Sequence, residues 1–180
     1  LREGTPLQVS LSGSDVDLPA QPLSYFWVGG PSGVSVTPGG LLNWTPSESQ
    51  GPGSHVLRVA VTDGTVAVTN QFSVLVREVN ESPVPVAVPD QTLDELVLWT
   101  RTLQANDVDI PVQSLSYGLS SGPAGMSVSA EGLLRWTPSE IQGPGDFWVS
   151  WWVSDGVVST TNRFGVRVPL AIGSVTLGLG

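Results

Sequence analysis

The stretch Trp44–Gly53, with the sequence WTPSESQGPG, decides the fold of this chain because it occurs twice. It returns 92 residues later as Trp136–Gly145, WTPSEIQGPG. When residues 1–78 are aligned with residues 93–170, nearly half of the positions are identical. Self-similarity at a fixed period marks an array of modules, and a period of this length suits a small domain better than a solenoid repeat. The sequence therefore predicts two copies of one domain.

Each copy carries the signals of β-strands and tight turns. Apolar and polar residues alternate in Val56–Val61 and in Gln71–Val76 of the first copy, which is typical of half-buried strands. Asp63-Gly64 lies between these runs and predicts a hairpin turn. The same pattern returns in the second copy. We expect six or seven short strands per copy, an all-β immunoglobulin-like sandwich, with Trp44 and Trp136 in the two cores.

The two copies differ in how they begin. The domains predicted are a first sandwich, a linker with the first strand of the second domain, a second sandwich and a C-terminal extension, at residues 1–78, 79–91, 92–170 and 171–180. The first copy has no counterpart of the strand expected within Val84–Gln91. Two interpretations stay open, namely that the chain is a piece of a longer array, or that residues 171–180 of one molecule complete the next.

The second interpretation predicts a head-to-tail contact through the strand-like residues Val175 and Leu177. Strand addition at an open sheet edge is a known mode of recognition. A contact of this heterologous kind builds open filaments when it does not close into a ring. Self-association would then be a property of the chain.

Composition argues against several classes of function. The net charge of -9 disfavours nucleic acid and anionic membranes as partners, since both require basic surfaces. No apolar run reaches the roughly 20 residues needed to cross a bilayer. The one histidine, His55, is matched by Phe147, so we expect it on a strand surface, and a Ser-His-Asp site cannot be built on both copies. We expect a protein that is not an enzyme, does not bind nucleic acid and does not insert into membranes.

The repeated motif, the Asp-Gly turn and the linker Val79-Asn80-x-x-Pro83 resemble the immunoglobulin-like, cadherin-like repeats of large bacterial surface and secreted proteins. The resemblance covers both copies almost entirely. It implies an extracellular or cell-surface location and a structural role as a spacer or as a subunit of a fibre or filament. It also implies partners such as neighbouring repeats of the same chain or a second molecule.

Calcium is the cofactor that this resemblance implies, because cadherin repeats bind it with carboxylates where two domains meet. Calcium takes six to eight oxygen ligands, which residues far apart in sequence can supply together. Position by position, the resemblance gives as ligands Glu3, Glu48, Asn80, Glu81, Asp107, Asp109 and Asp155. The alternative is that these residues only form turns and solvate loops.

Three tryptophans of the second copy, Trp148, Trp151 and Trp152, replace small apolar residues of the first copy. On strand alternation, Trp148 and Trp152 share one face and Trp151 points to the other. Three interpretations remain, namely additional core, a subunit interface and a platform for carbohydrate. An adhesin or carbohydrate-binding accessory module, with a glycan or a surface protein as partner, is therefore the alternative function.

Overall fold

The computed structural model describes residues 1–19 and 21–170. The chain forms two compact units, each an all-β sandwich of the immunoglobulin-like, cadherin-like type. Of the described residues, the first domain contains those within Leu1–Asn80 and Asp109–Pro111, and the second contains Glu81–Val108 and residues 112–170. The prediction of two tandem β-sandwiches is confirmed.

The first domain is built from two antiparallel three-stranded sheets, ordered β1-β4-β3 and β2-β5-β6. A short 3₁₀ turn, Glu48–Gln50, connects β4 to β5. The strands are β1 (Leu7–Ser10), β2 (Ser24–Gly29), β3 (Ser35–Val36), β4 (Leu41–Trp44), β5 (Gly53–Thr62) and β6 (Ala67–Val76).

The second domain repeats these sheets and adds strands at its start. Its sheets are ordered β12-β13-β9, β11-β14-β15-β8 and β10-β7. All pairs are antiparallel except β15 with β8, which is parallel. The strands are β7 (Val84–Pro85), β8 (Gln91–Thr92), β9 (Trp99–Thr102), β10 (Ala105–Asn106), β11 (Ser116–Ser121), β12 (Ser127–Val128), β13 (Leu133–Trp136), β14 (Gly145–Ser154) and β15 (Ser159–Val168).

The repeated tryptophan fills the core of each domain, as the sequence predicts. Trp44 and Trp136 are both buried, and each meets a ring from the following long strand. The ring of Phe147 packs edge-on against Trp136 with centroids 5.5 Å apart, and His55 packs against Trp44 at 5.3 Å. His55 is therefore half-buried and not on the strand surface, since its ring takes the place of the phenylalanine.

The tryptophan-rich strand β14 divides its side chains between two faces. Trp151 is 0 % exposed and lies in the core, so the prediction that it belongs to an interface is wrong. Strand alternation turns it inward with Val149 and Val153. Trp152 is half-buried over Gly118, where an added Cβ would meet the indole ring. Trp148 remains 63 % exposed and is the one large aromatic surface of β14.

The last ten residues and the question of a membrane span complete the description of the fold. The predicted C-terminal extension 171–180, with Val175 and Leu177, lies outside the described residues. Among the described residues, no helix has the length and apolar character required to cross a membrane.

Candidate metal centre

Three glutamates of the first domain, Glu3, Glu48 and Glu78, place carboxylate oxygens within 4.8 Å of one another. We call them the glutamate cluster. The beginning and the end of the domain lie side by side, because Arg2 pairs with Arg77 in a parallel bridge and the Glu3 N–H donates to the Arg77 carbonyl (3.2 Å). This pairing brings Glu3 next to Glu78, although 75 residues separate them in sequence.

The third member, Glu48, is placed by the repeated motif. It opens the 3₁₀ turn, which Ser47 and Gln50 close from both sides. The Ser47 N–H donates to Gln50 Oε1 (2.9 Å), and the Gln50 N–H donates to the Ser47 carbonyl (2.9 Å). The Ile110 N–H, which belongs to the same compact unit, donates to Glu48 Oε1 (3.2 Å). The Ser-Glu-x-Gln sequence therefore fixes the backbone from which this carboxylate extends.

Glu3 is the most enclosed of the three carboxylates, with 6 % of the residue exposed. Its Oε1 accepts a hydrogen bond from the Val79 N–H (2.7 Å), while its Oε2 is buried and accepts none. The carboxylate lies against Gly51, where an added Cβ would collide with it. The glycine of the Gln-Gly-Pro-Gly motif thus makes room for the carboxylate, and Gly143 does the same for Glu95.

Glu78 shows the electrostatic cost of this arrangement. Both of its carboxylate oxygens are buried and accept no hydrogen bond. Burial, together with the negative charges of Glu3 and Glu48, raises the pKa of Glu78 to about 7. Near neutral pH the glutamate cluster therefore favours the uptake of a positive charge, either a proton or a cation.

A second group, the aspartate cluster, consists of Asp107, Asp109 and Asp155. One carboxylate oxygen of each lies within 4.8 Å of the others. Asp109 is 2 % exposed and Asp155 is 8 % exposed. Asp155 Oδ1 accepts the N–H groups of Val157 (2.6 Å) and Val158 (2.7 Å), which closes the turn that follows β14.

The first copy has an equivalent of the aspartate cluster, but that group is open to solvent. Asp15 and Asp17 are exposed, and Asp63 is half-buried. Asp63 Oδ1 accepts the N–H groups of Thr65 and Val66, both at 2.7 Å, and these hydrogen bonds lower its pKa. The same sequence thus serves as a solvated turn in one copy and as a buried acidic group in the other.

Five of the seven residues expected as metal ligands are in these two clusters. Glu81 is exposed and belongs to neither cluster, and Asn80 is half-buried in the segment that follows β6. Glu78 is the member that the expected ligand set omitted. Its counterpart in the second copy is Leu170, so the repeat gives no signal for it, and only its position directly after the end of β6 could have indicated it.

The buried charges of the chain coincide with these clusters. Within residues 1–19 and 21–170, the buried charged side chains are Glu3, Asp109 and Asp155. A buried carboxylate is stable only when it is paired, hydrogen-bonded, protonated or bound to a metal. A set of donors made only of oxygen, with buried oxygens that no protein group satisfies, fits a hard cation.

Comparisons with known proteins agree with the fold. No protein-family model matches the sequence, and a search of curated proteins found no match. A crystal structure of human protocadherin-24 EC1-2 is similar, with 16% identity, a TM-score of 0.55 and coverage of 84% of each chain. Drosophila N-cadherin EC1-4 has 16% identity and a TM-score of 0.55, over 85% of this chain and 44% of that one. At these identities the likeness establishes the sandwich fold alone.

An endo-fucoidan hydrolase from glycoside hydrolase family 107 also aligns with this chain, with 20% identity. The alignment covers 96% of this chain but only 28% of the hydrolase, so this chain spans about a quarter of that protein. The TM-score of 0.40 is too low to support an argument about activity.

Proposed function

We propose that this chain is a non-catalytic, calcium-binding tandem repeat of an extracellular or cell-surface protein, where it acts as a spacer or as a subunit of an adhesive fibre. The glutamate cluster is the observation on which this proposal rests. Glu3, Glu48 and Glu78 come from the beginning, the middle and the end of the first copy, and the fold gathers them within 4.8 Å. Three carboxylates at this separation need a cation or a proton to stay together at neutral pH.

Calcium suits this group better than magnesium does. Three carboxylates offer up to six oxygens, and calcium accepts six to eight ligands in irregular geometry with bidentate carboxylates. Magnesium requires near-ideal octahedral geometry and retains several waters. Oε2 of Glu3 and both carboxylate oxygens of Glu78 are buried without a hydrogen-bond partner, so they suit direct contact with an ion. These observations support the choice of calcium.

Asp107, Asp109 and Asp155 form a second candidate group. Oδ1 of Asp155 accepts the two hydrogen bonds of the turn, and the three residues together place carboxylate oxygens within 4.8 Å of one another. Its exposed counterpart, Asp15, Asp17 and Asp63, lacks the burial that would strengthen an ion contact. We therefore assign calcium to the buried aspartate cluster and not to the exposed one.

The proposed structural role follows from what calcium would do to the chain. Glu78 lies at the start of the segment 78–83 that joins the two copies, so an ion held by this side chain would order that segment. An ordered connection between two similar sandwiches suits a spacer or a fibre outside the cell. Pro83 adds stiffness at the end of this segment, and Pro85 and Pro89 follow it closely.

Calorimetric titration of the purified chain, after removal of metal with EDTA, tests this proposal. We expect calcium to bind with release of protons near pH 7, because Glu78 must be ionised to act as a ligand. We expect magnesium to bind more weakly than calcium. Glu3→Gln should weaken the binding at least tenfold. The matched control, Glu95→Gln, changes the equivalent residue of the second copy and should leave calcium binding intact. Absence of calcium binding by the unaltered chain would refute the proposal.

A second candidate function, an adhesin or carbohydrate-binding accessory role, rests on the exposed face of Trp148. The indole lies beside a groove of about 380 Å³ that includes Asp90, Asp146 and Arg167. The guanidinium of Arg163 lies over the Trp148 ring, 5.0 Å from its centroid. An exposed aromatic ring next to charged side chains is a surface that a sugar or a surface protein could occupy.

Titration with a panel of soluble glycans, followed by tryptophan fluorescence, tests this alternative. In the first copy, Val56 occupies the position that matches Trp148, so valine is the substitution that the repeat itself offers. Trp148→Val should abolish any glycan response and leave thermal stability almost unchanged, because the side chain is largely in solvent. An unaltered response in this variant would exclude the Trp148 face.

A further inference from the structure

The hairpin of β14 and β15 differs from its counterpart in the first copy on its outward face. The inward residues of β15, Phe164, Val166 and Val168, are the same residue types in both copies. Where β14 begins and β15 ends, four outward positions carry different residues. The pairs are Ser54 and Asp146, Val56 and Trp148, Gln71 and Arg163, and Leu75 and Arg167. The first copy forms the same hairpin without this patch, so the fold itself does not require it.

Trp148 lies in the middle of the patch, directly opposite Gly165. Along β15, Arg163 precedes Gly165 by two residues and Arg167 follows it by two, so one arginine lies on each side of the indole. The guanidinium of Arg163 lies over the ring, 5.0 Å from its centroid. Because Arg163 covers the indole from one side, the opposite face of the ring is turned towards Asp146 and Arg167.

The groove of about 380 Å³ lies on that uncovered side of the indole, and we call it the Trp148 groove. Trp148, Asp90, Asp146 and Arg167 line it, whereas Arg163 does not. Asp90 is held in place because its Oδ1 accepts the Gly165 N–H (2.7 Å). Gly165 makes room for this contact, since an added Cβ would lie 3.2 Å from the Asp90 carboxylate. The volume falls in the range of small-ligand sites, roughly 300–1,000 Å³.

The charges around the Trp148 groove cancel, although the whole chain has a net charge of -9. Asp90 and Asp146 face Arg163 and Arg167, and all four side chains are exposed. A surface without net charge attracts neither anions nor cations by its field. It does place hydrogen-bond acceptors next to guanidinium donors. This combination suits a ligand with many hydroxyl groups, because each hydroxyl both donates and accepts.

We propose that the Trp148 groove binds an uncharged pyranose unit of a glycan that a partner molecule carries. The apolar face of the sugar ring packs on the uncovered face of the indole. Its hydroxyls bond to Asp146 and Arg167. Arg163 is a positioning residue, because its guanidinium holds the ring in place before the sugar arrives.

This inference rests on the second candidate function and gives it a site and a ligand class. It is independent of calcium, because no residue that lines the Trp148 groove belongs to the glutamate cluster or the aspartate cluster. Glycan binding can therefore be measured in EDTA, separately from the metal sites.

The test applies the full chain in EDTA to an array of uncharged and acidic glycans. The uncharged probes are cello-, manno-, galacto- and xylo-oligosaccharides, and the acidic probes are oligogalacturonates and sulfated oligosaccharides. We expect binding of an uncharged glycan, with the acidic glycans bound about tenfold more weakly or not at all. NMR titration with the glycan that binds best should shift the indole N–H signal of Trp148, which is identified by its loss in Trp148→Val.

Variants that restore residues of the first copy test the individual contacts. Trp148→Val should weaken glycan binding by about tenfold or more, and Arg167→Leu by about fivefold. Arg163→Gln should weaken binding and also change the fluorescence of Trp148 in the absence of glycan, which fits a positioning role. These side chains are exposed, so the Tm should not change. The matched control, Val56→Ala, alters the equivalent position of the first copy and should bind as the unaltered chain does.

Three results would overturn the proposal, and they differ in what else they remove. Equal glycan binding by Trp148→Val would place the site elsewhere and leave the second candidate function standing. Binding of acidic glycans alone, lost in Trp148→Val, would show that the site is correct and the ligand class is wrong. Absence of binding to every glycan would remove both this inference and the second candidate function, while the calcium titration would still decide the first.

Discussion

At the scale of single residues, equal sequences take different roles according to their neighbours. Glu3 and Glu95 both lie against the glycine of the repeated motif. Only Glu3 has a further carboxylate beside it, because Glu78 in the first copy corresponds to Leu170 in the second. The local motif could therefore be predicted from the sequence, whereas the repeat gives no signal for Glu78 and only its position after β6 points to it.

The charge of Glu78 gives a prediction about pH. Its pKa rises on folding from 4.5 to about 7, so the protonated form stabilises the folded state. This contribution is complete below about pH 4.5 and is lost as the pH rises through about 7. Without calcium, Glu78→Gln should therefore be more stable than the unaltered chain at pH 8, and this advantage should vanish near pH 4.5. Urea unfolding of both proteins at pH 8 and pH 4.5 measures this difference in stability.

At pH 8, calcium should make the unaltered chain more stable than Glu78→Gln. The unaltered chain gains stability from the bound ion, whereas Glu78→Gln has lost a charged ligand. If Glu78→Gln is less stable than the unaltered chain in EDTA at pH 8, the assigned charge repulsion is wrong.

Gly51 gives a second prediction at this scale. Gly51→Ala should displace the Glu3 carboxylate and lower the free energy of unfolding by about 1–3 kcal/mol, the usual cost of overpacking. It should also remove the part of the stabilisation by calcium that the glutamate cluster provides. Gly143→Ala places the same methyl group against Glu95 and should be destabilising without any change in the calcium response. The paired free energies with and without calcium measure both effects, and an intact calcium response in Gly51→Ala would contradict the geometry.

At the scale of elements, the alternation of apolar and polar residues predicts the long strands but not the short ones. The strands β5, β6, β14 and β15 have ten residues each and carry apolar residues at every second position over part of that length. By contrast, β7 and β8 are two residues each and are defined by the partners they meet, not by a pattern of their own. The presence of a first strand in the second copy could be inferred from the repeat, but its division into two short strands could not.

A repeated phenylalanine is buried in the second domain as Phe164 and half-buried in the first as Phe72, and this difference gives a prediction. Phe164→Ala should cost about 3–5 kcal/mol, the usual range for a buried phenylalanine. Phe72→Ala should lower the free energy of unfolding by clearly less, since Phe72 is only half-buried and lines an open cavity of about 240 Å³. Denaturant unfolding of the two variants gives the comparison. Equal losses of unfolding free energy in the two variants would contradict the looser packing around Phe72.

At the scale of the whole molecule, the chain is a duplication in which the two copies have diverged at specific points. Among the described residues, the second copy has the larger set of buried apolar side chains, and the first copy has the glutamate cluster. A net charge of -9 would oppose association of copies unless cations or strand pairing compensate for it. Calcium bound at the proposed sites would supply such compensation.

Thermal unfolding in EDTA and in millimolar calcium tests the central claim most directly. It is measured on the unaltered chain, on Glu48→Gln and on the matched control Glu140→Gln, which changes the exposed equivalent in the second copy. A ligand that binds only the folded state must raise the Tm. We predict that calcium raises the Tm of the unaltered chain and of Glu140→Gln by several degrees, on the order of 5 °C, and that Glu48→Gln loses most of this shift. A Tm that is the same in EDTA and in calcium for all three proteins would contradict the account.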